Sequence, residues 1–245
     1  MPPFASSPDR ARPRLIDPDY LHLRAISRRL RPRLAAWTGG GRVLDLGAGR
    51  SPYLAWLGDA AARAVRLDAR RDFAPTVQGR GEALPFRDGA FALILCTQVL
   101  PFAADPRTLL AEAARVLAPG GFLLLTTPLH WPRDSAEPEW RFDSRGLASL
   151  CAGLRVVEVV EEGGWLCLPF ALCNLVTREL VIAAERRLGV LAWPLVPLAR
   201  ALFAIQNLAG AGVEWLAAIP VLRPFLGYLD RRLPMNLLLV AEKPA

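Results

Sequence analysis

Lysine is nearly absent from these 245 residues: Lys243 is the only one, so arginine carries almost all of the positive side of a formal net charge of +7. Arginine bias of this kind follows from a GC-rich coding sequence and is not by itself a nucleic-acid signal. No Lys/Arg tract is interleaved with aromatics, so no nucleic-acid partner is expected. Histidine is scarce, with His22 and His130 the two present, and Cys96, Cys151, Cys167 and Cys173 lack Cys-x-x-Cys spacing. That excludes a zinc clip, and no metal is expected. The apolar surroundings of the four cysteines make them buried thiols of a reducing compartment rather than disulfides. The Pro- and Ser-rich start lacks the apolar segment of a signal peptide. No uncharged apolar run reaches the ~18–20 residues that spanning a bilayer needs. These gaps point to a cytoplasmic protein, and residues 1–17 read as a flexible tail.

What the chain does have is apolar side chains, 53% of the total, enough for one large α/β domain with additions. The most informative stretch is Arg42-Val-Leu-Asp-Leu-Gly-Ala-Gly-Arg-Ser-Pro52. It reads as a short buried strand, then a tight glycine turn opening onto a helix. Gly47 and Gly49 strip the turn of side-chain bulk, so a ligand can lie against the backbone at the carboxyl end of a first parallel strand. A dinucleotide fingerprint would place glycine at the sixth position, where Pro52 stands. Ala64-Val-Arg-Leu-Asp68 then reads as a second strand ending in a carboxylate able to accept hydrogen bonds from both hydroxyls of a ribose. Leu109, Leu110, Ala113, Val116 and Leu117 recur at helical spacing until Pro119-Gly-Gly121 stops the helix. Phe91–Cys96 and Phe122–Thr127 read as buried strands.

Four phrases in order, covering residues 40 to 130, resemble the class I S-adenosylmethionine-dependent methyltransferases of the type 11 kind. They are the Asp45-x-Gly47-Ala48-Gly49 turn, Asp68, Gly81-Glu-Ala-Leu-Pro-Phe86 before a strand, and the Leu-x-Pro-Gly-Gly phrase at 117–121. The resemblance implies a Rossmann-like seven-stranded α/β sheet, mostly parallel with the last strand antiparallel and helices on both faces. It implies S-adenosylmethionine as cofactor, held by Asp45, Gly47, Ala48, Gly49, Asp68 and Ala69. The Gly81–Ala83 backbone, with Glu82, would face the adenine, and Thr97 and Gln98 would lie under the methionine part. Arg80 stands where the family often has Asp or Ser, so no carboxylate is assigned to the adenine there.

The next segment runs from Thr127 through His130, Trp131, Trp140 and Arg141 to Leu147. Its Trp-Arg-Phe-x-x-x-Gly-Leu ending resembles methyltransferases linked to polysaccharide or glycolipid assembly. His130 is the candidate general base, a strand-end cap being the alternative. Trp131, Trp140 and Arg141 would wall the acceptor, with Arg141 suited to an acidic or phosphate-bearing one. A helix from Asp17 to about Trp37 would roof the cofactor, where Arg24 is a candidate partner for the methionine carboxylate. The basic stretch Arg24–Arg33 is either a solvated helix face or a contact for an anionic surface.

Arg155–Glu161 reads as a sixth strand and Met235–Lys243 as a seventh, with an apolar insertion between them. Prolines 194, 197, 220 and 224 are expected to divide it into short helices. It is either a lid over the acceptor or an interfacial patch reaching a lipid-linked one. The expected organisation is a tail (1–17), a methyltransferase core with helical cap (18–162), the insertion (163–234) and the final strand (235–245). The function expected is methyl transfer, favouring oxygen, to a small or lipid-linked, saccharide-containing acceptor, with peripheral contact at the inner face of a membrane. Two rivals remain. One is a non-catalytic methyltransferase-like scaffold binding through the insertion; the other, a nicotinamide-dependent dehydrogenase, is disfavoured by Pro52.

Overall fold

The computed structural model describes residues 9–130, 139–164, 166–230 and 234–245. The chain divides into two compact units. One comprises Arg29–Glu161 and Asn236–Ala245, and the other takes the chain up to Arg28 together with Glu162–Met235. The N-terminal half of the first helix, α1 (Tyr20–Ala35), therefore belongs with the insertion rather than with the sheet.

The first unit is built on a seven-stranded sheet of order β3-β2-β1-β4-β5-β7-β6. Its strands are β1 (Val43–Leu46), β2 (Ala64–Asp68), β3 (Val77–Gln78), β4 (Phe91–Thr97), β5 (Leu117–Pro128), β6 (Arg155–Glu162) and β7 (Asn236–Glu242). β1 pairs in parallel with β2 and β4, β2 with β3, and β4 with β5, while β7 runs antiparallel to β5. Val43-Leu-Asp-Leu46 is buried at every position. A strand covered on both faces needs such continuous burial, which is why no polar alternation marks it in the sequence. Leu44, Leu46, Phe91, Ile94, Leu123 and Leu239 lie in one core with the buried face of α2 (Pro106–Val116). Asp105 caps α2 by accepting from Arg107 N at 3.0 Å, and Pro106 occupies a first-turn position where no N–H partner is needed. At the other end the single lysine, Lys243, donates to the carbonyls of Arg115 (3.2 Å) and Leu117 (2.7 Å), a cation set at a helix C-terminus. A short helix, α3 (Ser144–Ser149), capped by Asp143, precedes β6.

The chain departs from expectation just after β1. In place of an α-helix, Leu54–Arg63 is a 3-10 segment broken at Gly58, whose φ of 54° and ψ of −131° no helix tolerates. The chain reaches β2 at Ala64, so little length remains for helical turns once the break is made. The difference has chemical content. A dinucleotide needs a helix N-terminus for its pyrophosphate, whereas a sulfonium nucleoside carries no phosphate.

The second unit contains α4 (Leu168–Leu188), α5 (Leu195–Ala218) and α6 (Arg223–Asp230). Of the prolines expected to divide the insertion, Pro220 does lie at the break between α5 and α6, but the others sit at helix starts, Pro224 in the first turn of α6, and do not shorten the helices. Pro169 sits in the first turn of α4, Pro194 caps α5 and Pro197 lies in its first turn, where a missing N–H costs nothing. By length and composition α5 is the one helix among the described residues able to cross a membrane. No uncharged run of the length expected for a span is present even there, because Arg200 and Glu214 interrupt the helix. Its inner stripe of Ala199, Phe203, Asn207 and Gly210 is buried. Asn207 accepts from Asn174 Nδ2 at 2.7 Å and donates to the carbonyls of Leu15 (2.7 Å) and Asp17 (3.0 Å). Within the stretch read as a tail, residues 1–8 lie outside the described part, and Asp17 is buried and hydrogen-bonded.

Two further expectations are corrected. Arg24 is ion-paired with buried Glu214, and Arg28 pairs with Glu162 at 3.2 Å, while in the sheet unit Arg33 pairs with Glu158 at 2.5 Å. Most of the basic face of α1 is thus matched to carboxylates rather than left for an anionic surface. Among the cysteines Cys96, Cys151 and Cys167 are buried, and burial pushes the Cys96 thiol up to about 12 and Cys151 up to about 11, but Cys173 is exposed.

Candidate functional site

Parallel pairing of β2, β1, β4 and β5 sets their carboxyl ends side by side, since Leu46 is in register with both Leu67 and Cys96, and Cys96 with Leu125. Asp45, Gly47, Ala48, Gly49, Asp68, Ala69, Thr97, Gln98 and His130 therefore share one edge of the sheet. That edge, where the order reverses between β1 and β4, is where an open α/β sheet binds ligands.

The turn after β1 explains its own glycines. Gly47 has φ +68°, and a Cβ there would stand 2.3 Å from Val99 Cγ2, so the side chain of Val99, just after β4, packs directly on this peptide. Gly49 has φ +53°, but an added Cβ would meet nothing within 4 Å. Its backbone faces open space beside a carboxylate: Gly49 N donates to Asp68 Oδ2 at 2.8 Å, and Arg70 N donates to Oδ1 at 2.9 Å. Ala48 N donates to Leu67 O at 2.9 Å, which ties the turn to β2. Each Asp68 oxygen retains a lone pair for a ligand hydroxyl, since a carboxylate offers about four acceptor sites. A bare cradle next to a ribose-competent carboxylate fits an adenosine-containing ligand. Asp45, 5% exposed, is a different kind of acid: burial pushes its carboxyl up to about 7, with Arg66 opposing the rise and Asp68 adding to it.

The loop between β3 and β4 is braced from behind. Arg115 donates to the carbonyls of Leu84 (3.0 Å) and Phe86 (2.8 Å), and Glu112 accepts from Leu84 N at 2.8 Å. Glu82 Oε1 accepts from Ala104 N at 2.7 Å. Gly81 packs against Leu109 and Leu46, and Ala83 N donates to Arg80 O at 3.3 Å. Glu82 thus has a structural partner, and the Gly81–Ala83 peptides are held beside the end of β1.

On the acceptor side, His130 is half-buried two residues beyond β5. Trp131 lies outside the described residues. Trp140 donates its indole N–H to Ala103 O at 3.0 Å and remains 49% exposed. The Arg141 guanidinium is paired at 2.7 Å with Glu139, whose side chain is 2% exposed, so an anionic acceptor would compete with that carboxylate.

Sequence reasoning missed the polar cluster beneath Gln98. Gln98 adopts φ +60°, unusual for a side-chain-bearing residue, and its N–H donates to Thr126 O at 2.8 Å. Its Nε2 donates to Thr126 Oγ1 at 3.2 Å and lies 3.5 Å from Asn236 Oδ1. Thr126, Thr127 and Asn236 are all buried, and the Thr127 hydroxyl has no partner. The signal was there: Asn236 stands directly before the apolar run Leu237–Ala241, and two threonines end a run of leucines.

Residues 44–125 match the family model described as a methyltransferase domain. An uncharacterized protein of Methanocaldococcus jannaschii is 32% identical over 89 residues, which are 35% of this chain and 43% of that protein. A biotin biosynthesis bifunctional protein of Cellvibrio japonicus is 32% identical over 115 residues, which are 42% of this chain and 23% of that protein. The matched regions thus span less than half of these curated relatives. Among solved structures the [4+2]-cyclase SpnF aligns with a TM-score of 0.54 at 20% identity, covering 89% of this chain and 81% of its own. An S-adenosylmethionine-dependent methyltransferase of Mesorhizobium loti aligns at 0.51 and 17% identity, covering 86% and 96%. At such identities the structures establish the fold alone, and the cyclase is a reminder that one fold serves more than one reaction. The family match, the strand order and the cradle at Gly47–Gly49 agree: residues 44–125 are a class I S-adenosylmethionine-dependent methyltransferase domain, with S-adenosylmethionine as its cofactor.

Proposed function

We propose that the chain transfers a methyl group to a small or lipid-linked, saccharide-containing acceptor, at oxygen in preference to nitrogen or carbon. The observation that carries the reading is the glycine-bare backbone that opens on free space at Gly49 beside the Asp68 carboxylate. When bound, S-adenosylmethionine supplies a methyl group activated on a cationic sulfonium. The residues of the chain bind and orient the two reactants. Asp68 accepts hydroxyl hydrogens, Gly47–Gly49 and Gly81–Ala83 present bare peptides, and Thr97 and Gln98 form the floor at the end of β4. In-line displacement gains most of its rate from such positioning. His130 takes the proton from an acceptor hydroxyl at an imidazole nitrogen, a contribution of about 10²–10⁴-fold. Trp140 and Arg141 wall the acceptor. The helical unit faces a membrane on its cytoplasmic side, giving access to a lipid-linked substrate.

The test is a screen of lipid and glycolipid extracts for transfer of labelled methyl from S-adenosylmethionine, with His130→Ala as control. Labelled product that falls about a hundredfold in the variant supports the assignment. Cofactor binding with no product from any extract favours the non-catalytic scaffold instead.

A further inference from the structure

Apolar side chains are not left in water evenly over this molecule. Among the described residues, all but three of the exposed large hydrophobic side chains, the exceptions being Phe102, Trp140 and Val157, fall between Leu172 and Phe225 in the helical unit. On α5 the arrangement is sided. At 100° per residue the buried Ala199, Phe203, Asn207 and Gly210 form one stripe. Leu198, Leu202, Ile205, Leu208 and Trp215, all exposed, fall on the other side, and no charged residue of the helix lies in the arc they define. A soluble monomer rarely leaves so wide an apolar face to water.

We infer that this outer face of α5, with the turn that precedes it, seats the helical unit in the headgroup region of an anionic bilayer, lying along the surface rather than crossing it. Three observations select this occupant. Among the described residues the cations Arg186, Arg187, Arg200 and Arg223 are exposed and ion-paired with no carboxylate, and the half-buried Glu185 stands next to the first two; Glu214 is buried on Arg24 and Glu179 is paired with Arg178. Anionic headgroups complement those arginines, whereas a two-fold contact with a second copy would set like charges together. Trp193 and Trp215 are 68% and 67% exposed, and tryptophan partitions to the membrane–water boundary. Crossing is opposed by the inner stripe: Asn207 is buried and bonded to Leu15, Asp17 and Asn174, and a span would put Glu214 or Arg200 into hydrocarbon. The inference deepens the membrane-facing reading of the helical unit and is independent of methyl transfer.

The experiment is flotation of the full chain with phosphatidylcholine vesicles and with vesicles of phosphatidylcholine and phosphatidylglycerol. S-adenosylmethionine affinity is measured by calorimetry on the same preparations. The wild type is expected to float with the anionic vesicles, and added salt should weaken the association. Leu198→Ser with Ile205→Ser, both surface changes, should reduce partition at least tenfold; Arg186→Gln and Arg187→Gln should each cost about fivefold. Wild-type protein that stays in solution with both vesicle types overturns the inference, as do serine variants that float equally well. Self-association abolished by the same serine changes, without flotation, assigns the face to a second copy and overturns it too. Cofactor affinity that survives in every variant separates this outcome from failure of the methyltransferase reading, which would show as lost affinity with flotation intact.

Discussion

Replacing Asp45 with asparagine should remove a pH dependence from folding. Burial holds the Asp45 carboxyl up at about 7 from an ordinary 3.8, so between those values the folded chain keeps a proton that the unfolded chain has lost. Stability from this group is therefore fully present below about pH 4 and is lost as pH rises through 7. A shift of about three units at ~1.4 kcal/mol each makes the loss roughly 4 kcal/mol between pH 4 and pH 8. Asp72, Asp105 and Glu112 have lowered carboxyl values, so the stability they contribute is fully present above the usual carboxylate range and is lost only as pH falls below it. The window from pH 5 to 8 isolates Asp45 from them. The assay is urea denaturation, without cofactor, of wild type and Asp45→Asn at several pH values. Asp45→Asn should flatten the wild-type decline and be the more stable protein at pH 8. Identical slopes for the two would refute the burial argument.

Other substitutions separate the roles of the turn residues. Gly47→Ala places a methyl against Val99 in a left-handed conformation and should cost about 2–4 kcal/mol in denaturant unfolding, from overpacking plus backbone strain. Asp68→Ala removes two charged hydrogen bonds to backbone N–H groups, so it should lose roughly 2–4 kcal/mol of stability as well as cofactor affinity. Its dissociation constant is to be measured well below the unfolding transition. Asn207→Ala orphans the carbonyls of Leu15 and Asp17. It should expose the segment before α1 to faster amide exchange and proteolysis, at a cost of roughly 2–4 kcal/mol. Protection equal to wild type would deny that anchor.

The sheet was legible because a strand buried on both faces is a continuous apolar run, and because Gly47, Asp68 and Pro119-Gly-Gly121 punctuate the runs at fixed places. Asp45, Gly49 and Asp68 could be placed on one edge from parallel topology alone. Less legible were features set by tertiary contact. The Gly58 break is a local conformation that composition does not encode. The partners of Arg24 and Arg28 come from α5 and β6, far along the chain. The prolines of the insertion read as breakers because their position within a helix was unknown, and at the first turn they are tolerated. Gln98 with Thr126 and Asn236 needed the register of three strands that are distant in sequence.

The account stands or falls on the backbone at Gly49. Calorimetric titration of S-adenosylmethionine into wild type and Gly49→Ala tests it most directly, because the added methyl touches no protein atom, and the strain of alanine at φ +53° is read separately from denaturant unfolding of the same variant. The predicted result is one site per chain in wild type and an affinity weakened about ten- to a hundredfold in the variant, with a folded spectrum retained. Equal affinity in the two proteins, or no binding to the wild type, would contradict it.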